Sequence, residues 1–176
     1  MNFTPFPILQ TERLVLRQLK LSDADAVLYL RSDKTINKYI HRPENRQTKT
    51  IEDATNHIKK LTNQIETNTS ISWGISLKEN PEIIGSICLW NFSEDKTIAE
   101  VGYDLSTAFH NKEIMSEALK EVIRYGKTQL KLNHIEAYTH KDNNSSKALL
   151  EKHNFHLVER KIDQDNLNNS IYRLDC

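Results

Sequence analysis

Two hydrophobic periods alternate along this chain, one of two residues and one of about 3.6, and each switch marks an element boundary. ERLVLRQLK (12–20) alternates, with Leu14 and Leu16 on one face, and reads as a strand. Ser22 with Asp25 signals a helix start, and Ala24, Val27 and Leu28 carry an apolar stripe to about Arg31. Residues 33–49 are polar, contain Pro43 and read as irregular or short helical. Thr50 and Asp53 open a second helix, which Ala54, Ile58, Leu61 and Ile65 continue to about Glu66. ISWGISL (71–77) alternates cleanly, KENPE is a turn, and IIGSICLW (83–90) is more uniformly apolar, as in a strand covered on both faces. A turn at 93–96 precedes the strand IAEVGYDL (98–105), so three consecutive strands predict an antiparallel meander. Ile114, Met115, Ala118, Leu119, Val122 and Ile123 define the strongest helix, from Lys112 to about Gln129. HIEAYTH (134–140) is a strand, Asn144 to His153 a short helix, and 155–161 and 170–175 are the last strands. The expectation is a mixed α/β unit of about seven strands and four helices, one domain over 1–176.

Composition narrows the function classes. With 38% hydrophobic and 27% charged residues the chain is globular in type, and 176 residues suffice for one full core. Lys+Arg 24 against Asp+Glu 24 argues against a nucleic-acid binder that relies on an overall basic field. No stretch approaches the roughly 20 apolar residues of a membrane span, and MNFTPFPILQTERL lacks the features of a signal peptide. Cys88 and Cys176 are too few and too separated for a disulfide framework or a Cys/His metal site, so no metal and a cytoplasmic setting are expected. Cys88 reads as a small core residue. Trp73 and Trp90, both in apolar strands, read first as core. There are four glycines, so Asn, Asp, Ser and Thr must build most turns.

The candidate chemistry lies in residues 98–155. IAEVGYDLSTAFHNKEIMSEALKEVIRYG and LNHIEAYTHKDNNSSKALLEKHNF each run strand, loop, helix, which places two helix N-termini beside strand ends, where unpaired amides attract an anionic ligand. This block resembles the acetyl-CoA-binding core of the GNAT N-acetyltransferases, in particular the RimJ/RimL-like branch that acetylates ribosomal-protein N-termini. TERLVLRQLKLSDADAVLYLRSD and WGISLKENPEIIGSICLWNF match that branch too, so the resemblance spans about residues 11–160.

The resemblance implies a GNAT fold, mostly antiparallel with a splayed parallel pair in the middle. It implies acetyl-CoA as cofactor and direct transfer of acetyl to an amine in a ternary complex. The family's pyrophosphate loop, Arg/Gln-x-x-Gly-x-Gly/Ala, falls on His110, Asn111, Lys112, Glu113, Ile114 and Met115, with Ser116 following. Glu113 replaces its central glycine; its carboxylate would repel a pyrophosphate unless the side chain turns to solvent. The pantetheine contact falls on Tyr103, Asp104 and Leu105, and on Asn143 and Ser146 of the Asn-x-x-Ser stretch. Ser146 would also protonate the departing thiolate, although Asn143 and Ser146 equally suit a plain helix cap. Glu100 occupies the general-base position; an ordinary salt bridge with Arg13 or Arg17 is the alternative. Arg17, Tyr39 and Trp90 are the candidate acceptor contacts. The expected acceptor is a protein N-terminal α-amine, with polyamine or aminoglycoside acetylation, or acyl-CoA binding without turnover, as rivals. No nucleic acid or membrane partner is expected, and the chain is expected to be a monomer or homodimer.

Overall fold

The computed structural model describes residues 1–40, 42–159 and 161–176. Eight strands form one sheet: β1 (Leu9–Gln10), β2 (Leu14–Arg17), β3 (Ile71–Leu77), β4 (Asn80–Trp90), β5 (Ile98–Leu105), β6 (His134–His140), β7 (His156–Leu157) and β8 (Asn169–Asp175). Their order is β1-β2-β3-β4-β5-β6-β8-β7. Every neighbouring pair is antiparallel except β5–β6. Four helices complete the fold: α1 (Ala24–Ser32), α2 (Ile51–Glu66), α3 (Ile114–Thr128) and α4 (Asn144–Lys152). The expected meander is β3-β4-β5, and the eighth strand is the two-residue β1, too short to leave a period in the sequence.

The two sheet faces carry different cores. Leu14, Leu16, Trp73, Ile75, Ile87, Leu89, Ala99 and Val101 pack with the apolar stripe of α3. Trp73 is fully buried, donates from Nε1 to the Pro7 carbonyl at 2.8 Å and meets the Tyr125 ring edge-on at 5.4 Å. On the opposite face α1 and α2 close a smaller core of Leu19, Val27, Leu30, Ala54, Ile58 and Ile83. Gly74 makes that approach possible, because a Cβ there would lie 2.6 Å from Leu19 and 2.8 Å from Ile83.

Local chemistry explains the boundaries. Thr50 and Asp53 form the expected capping box of α2: the Asp53 amide donates to Thr50 Oγ1 (3.1 Å), and the Thr50 amide to Asp53 Oδ2 (3.0 Å). Ahead of α1 the cap is Asp23 rather than Ser22; its carboxylate accepts the Lys20 amide at 2.7 Å over a 3-10 turn at Leu21–Asp23. β4 starts earlier than its apolar run, at Asn80, because the β3–β4 register slips around Ser76 and Leu77, and Pro81, which has no amide to donate, falls in that irregularity. Of the strand expected over 155–161, whose residue 160 lies outside the described residues, only His156–Leu157 is strand among the rest. The Lys161 amide turns back to the Val158 carbonyl (3.2 Å) and its ammonium reaches Glu136.

Candidate active site

β5 and β6 pair over only three positions, Ile98↔His134, Ala99↔Ile135 and Glu100↔Glu136. Beyond them β5 stays with β4 as far as Leu105, while β6 stays with β8 as far as His140. The two parallel strands therefore splay. The edge of β5 from Val101 onward has no strand partner on that side, and its backbone groups face a cleft of about 1950 Å³. A ligand with amide groups along an extended arm can complete that edge.

The cleft runs to the N-terminus of α3. Asn111 and Glu113 both have left-handed backbone, φ 57° and 62°. Non-glycine residues pay about 1–2 kcal/mol for that conformation, so the loop keeps a glycine-type geometry without glycine. Left-handed residues at these places turn loop amides toward one concavity, beside the positive end of the helix dipole. Ile114 and Met115 bury their side chains in the core, so only their backbone serves the cleft. The Glu113 side chain is exposed and pairs with Lys152 at 2.5 Å, which holds its carboxyl below the usual range. His110 Nε2 donates to the Leu105 carbonyl at 3.0 Å, which ties the ring to the end of β5. The Lys112 side chain is not among those lining the cleft; its ammonium lies 5.5 Å from the Phe109 ring, which is consistent with the backbone role expected for this loop. Ser116 binds His153 Nε2 at 2.9 Å and links α3 to the end of α4.

At the other helix start, Asn143 Oδ1 accepts the Ser146 amide at 3.2 Å and caps α4, which leaves its Nδ2 group unspent on the helix. Ser146 Oγ lies 2.8 Å from the Tyr103 hydroxyl, across the mouth of the splay. Burial pushes the Tyr103 phenol up to about 12. The sequence motif indicates Ser146 but not this phenol, because the contact spans 43 positions along the chain.

The floor on the α1/α2 side is built from cross-strand pairs Trp90↔Glu100, Cys88↔Gly102 and Ser86↔Asp104. Gly102 keeps it low; a Cβ there would stand 3.3 Å from Cys88 Sγ. Cys88 is thus a half-buried floor residue rather than core, and burial pushes its thiol up to about 12, so it stays protonated. Trp90 is likewise corrected from core to cleft: it is 38% exposed and lines the cavity. Glu100 is half-buried with few partners: Asn91 Nδ2 is 3.5 Å away, and no cation among the described residues forms an ion pair with it. Arg13 binds Glu117 (2.7 Å) and Arg17 binds Asp23 (2.8 Å), so neither forms the salt bridge considered from the sequence. Burial, with lesser pushes from Asp163 and Glu136, raises the Glu100 carboxyl to about 7. Glu136 next to it is held ionised by Lys161 (2.5 Å) and Arg173 (2.7 Å).

Of the expected acceptor contacts, Tyr39 and Trp90 line the cleft, and the Tyr39 ring packs against His140 with centroids 5.3 Å apart. Arg17 does not; its guanidinium is committed to Asp23 and to the Pro81 carbonyl (3.1 Å), and that expectation is corrected. Among the described residues no group of His, Cys, Asp and Glu is arranged to hold a metal, and no helix is long and apolar enough to cross a membrane.

Comparison with known proteins agrees with this geometry. The family model described as acetyltransferase (GNAT) domain matches residues 13–156. The chain is 33% identical over 150 residues to the uncharacterized N-acetyltransferase YoaA of Bacillus subtilis, covering 85% of this chain and 83% of that one. It is 34% identical over 147 residues to the uncharacterized N-acetyltransferase p20 of Bacillus licheniformis, covering 84% and 81%. Among solved structures, RimL, a ribosomal L7/L12 alpha-N-protein acetyltransferase in complex with coenzyme A, superposes with TM-score 0.81 at 17% identity, covering 96% of this chain and 98% of that one. The ribosomal-protein-S5-alanine acetyltransferase of Vibrio fischeri gives TM-score 0.80 at 18% identity, with 96% of both chains covered. A splayed parallel pair, a glycine-type loop ahead of α3 and a family match across most of the chain lead to one conclusion: this protein belongs to the GNAT acetyltransferases and is an acetyl-CoA-dependent N-acetyltransferase.

Proposed function

We propose that this protein acetylates a protein N-terminal α-amine by direct transfer, with Glu100 as general base. Glu100 carries the reading: a carboxylate at the last paired position before the splay, in no ion pair among the described residues and raised by burial to about 7. An amine nucleophile arrives as R–NH3+ and must lose a proton before it can attack, and a base with a pKa near working pH removes it efficiently. Acetyl-CoA supplies the activated thioester. Its pantetheine arm would lie along Val101 to Leu105 with Asn143 at its amide, and its pyrophosphate at the amides of residues 111–116. A backbone N–H on the open edge of β5 near Val101 to Tyr103 would stabilise the oxygen that gains charge. Ser146, with the Tyr103 phenol 2.8 Å behind it, holds a proton for the thiol end. The choice of an N-terminal α-amine is supported by the named activities of the RimL and S5-alanine enzymes, which share the fold.

Thiol release from acetyl-CoA over a panel of N-terminal peptides, spermidine and an aminoglycoside tests the proposal. Peptides should be the best acceptors. kcat/KM should rise through about pH 7, as Glu100 loses its proton, and level off above it. Glu100→Gln should cost roughly 10²–10⁴-fold and flatten that limb. Full activity in this variant would remove Glu100 from the mechanism.

A further inference from the structure

At the end of β5 remote from Glu100, charged side chains converge on the same floor from three segments. Asp104 accepts both the amide (3.0 Å) and the hydroxyl (2.8 Å) of Ser86. Arg42, in the connection between α1 and α2, places Nη2 3.9 Å from Asp104 Oδ2, beyond a direct hydrogen bond; the two side chains are 15% and 10% exposed. Arg31, in the last turn of α1, donates from Nε to Thr48 Oγ1 (2.7 Å) and from Nη2 to the Arg46 carbonyl (2.8 Å). Those bonds fix the guanidinium plane, and Nη1 makes no hydrogen bond among the described residues. All three residues line the cleft.

The charges do not balance. Burial lowers the pKa of Arg42 and brings Arg31 down to about 10, with Arg42 pushing Arg31 further the same way; both remain cations at neutral pH. His57, beside them, is driven down to about 3 by burial and by both arginines, so it stays neutral. Asp53 spends its carboxylate on the α2 cap, and Arg46 and Lys60 add positive charge at the exposed rim. Two guanidiniums therefore face one carboxylate in a poorly solvated recess, and such an arrangement is costly unless a further anion joins it. Burial raises the Asp104 carboxyl, so it offsets at most one of the two guanidiniums, and a carboxylate monoanion is the smallest addition that closes the inner balance.

We infer that Arg31 and Arg42 form an acceptor subsite for a carboxylate, so that the preferred acceptor is a peptide with Asp or Glu close behind its N-terminal amine. The inference rests on the acetyl-transfer reading above. Glu100 and Asp104 are four residues apart on one strand face, about 13 Å. At about 3.3–3.6 Å per extended residue, that span places the acidic side chain within the acceptor's first four residues.

The test compares peptides carrying Glu at positions two to four with their Gln counterparts, both in thiol release and in calorimetric binding to the protein saturated with coenzyme A. Glu peptides should show at least a tenfold higher kcat/KM, expressed in KM, and tighter binding. Arg42→Gln and Arg31→Gln should each erase most of that preference, leave Gln peptides within about twofold, and leave thermal stabilisation by coenzyme A unchanged, which certifies the fold. Equal handling of Glu and Gln peptides, survival of the preference in both variants, or a phosphoserine peptide outcompeting Glu would overturn the subsite. Absence of thiol release with every amine would sink the transfer reading alone. The subsite would then stand or fall on whether Glu peptides still bind more tightly than Gln peptides.

Discussion

Glu113 is the residue at which this chain departs most from its family's loop pattern, and the geometry explains how the departure is tolerated. The residue keeps the left-handed backbone of the glycine it replaces, φ 62°, and its carboxylate swings out to Lys152. The pair is exposed and so contributes little to stability. It does hold the carboxylate next to an opposite charge. The expected outcome in a calorimetric double-mutant cycle is asymmetric. Glu113→Gly should bind coenzyme A within about threefold of the parent. Lys152→Ala, which leaves the carboxylate uncompensated, should weaken binding about fivefold, roughly 1 kcal/mol of solvated repulsion. In the Glu113→Gly background the same lysine change should matter less. Equal losses in both backgrounds would mean that Lys152 touches the ligand itself rather than neutralising Glu113.

Among the elements, β5 and β6 each have one edge paired throughout and the other open past the splay, and β5 is the one that also reaches the loop ahead of α3. Its β4 edge is paired from Glu100 to Leu105, whereas its β6 edge is open from Val101 onward. Hydrogen exchange should report that asymmetry. In the free protein, the amides of residues 101–105 that face the cleft should exchange faster than those of the same strand that pair with β4. Saturating coenzyme A should slow peptides spanning 101–105 and 111–116 and leave β8 unchanged. No protection at 101–105 would argue that the arm does not complete the sheet edge. The long, strongly periodic elements were legible beforehand, α3 and the β3-β4-β5 meander above all, because burying an amphipathic stripe imposes its period on the sequence. Two-residue strands such as β1 and β7 have no period to detect, and the slipped β3–β4 register depends on which strand lies alongside.

For the molecule as a whole, the cleft joins the splayed edges of β5 and β6, two helix starts and the roof that α1 and α2 supply. A ligand that bridges them must raise global stability. At 100 times its dissociation constant coenzyme A should add about 2.7 kcal/mol. A chain of this length should then melt roughly 5–11 °C higher. A differential scan with and without ligand reads this directly, and an unchanged transition at millimolar coenzyme A would contradict the assigned cleft.

The sequence by itself determined the order of the long elements and the two strand–loop–helix units, while the resemblance to the family implied the mixed sheet and pointed to Glu100, His110 to Ser116, Asn143 and Ser146 within those units. These are local patterns, written in short-range periodicity and in fixed spacing from a helix start. Only the tertiary structure decided which candidates share the cleft. It withdrew Arg17 to Asp23, moved Trp90 and Cys88 from core to floor, set the Tyr103 phenol behind Ser146, and brought Arg31 and Arg42 to Asp104. Those outcomes turn on desolvation and on contacts between segments far apart in the chain, and neither has a signature in any single stretch of sequence.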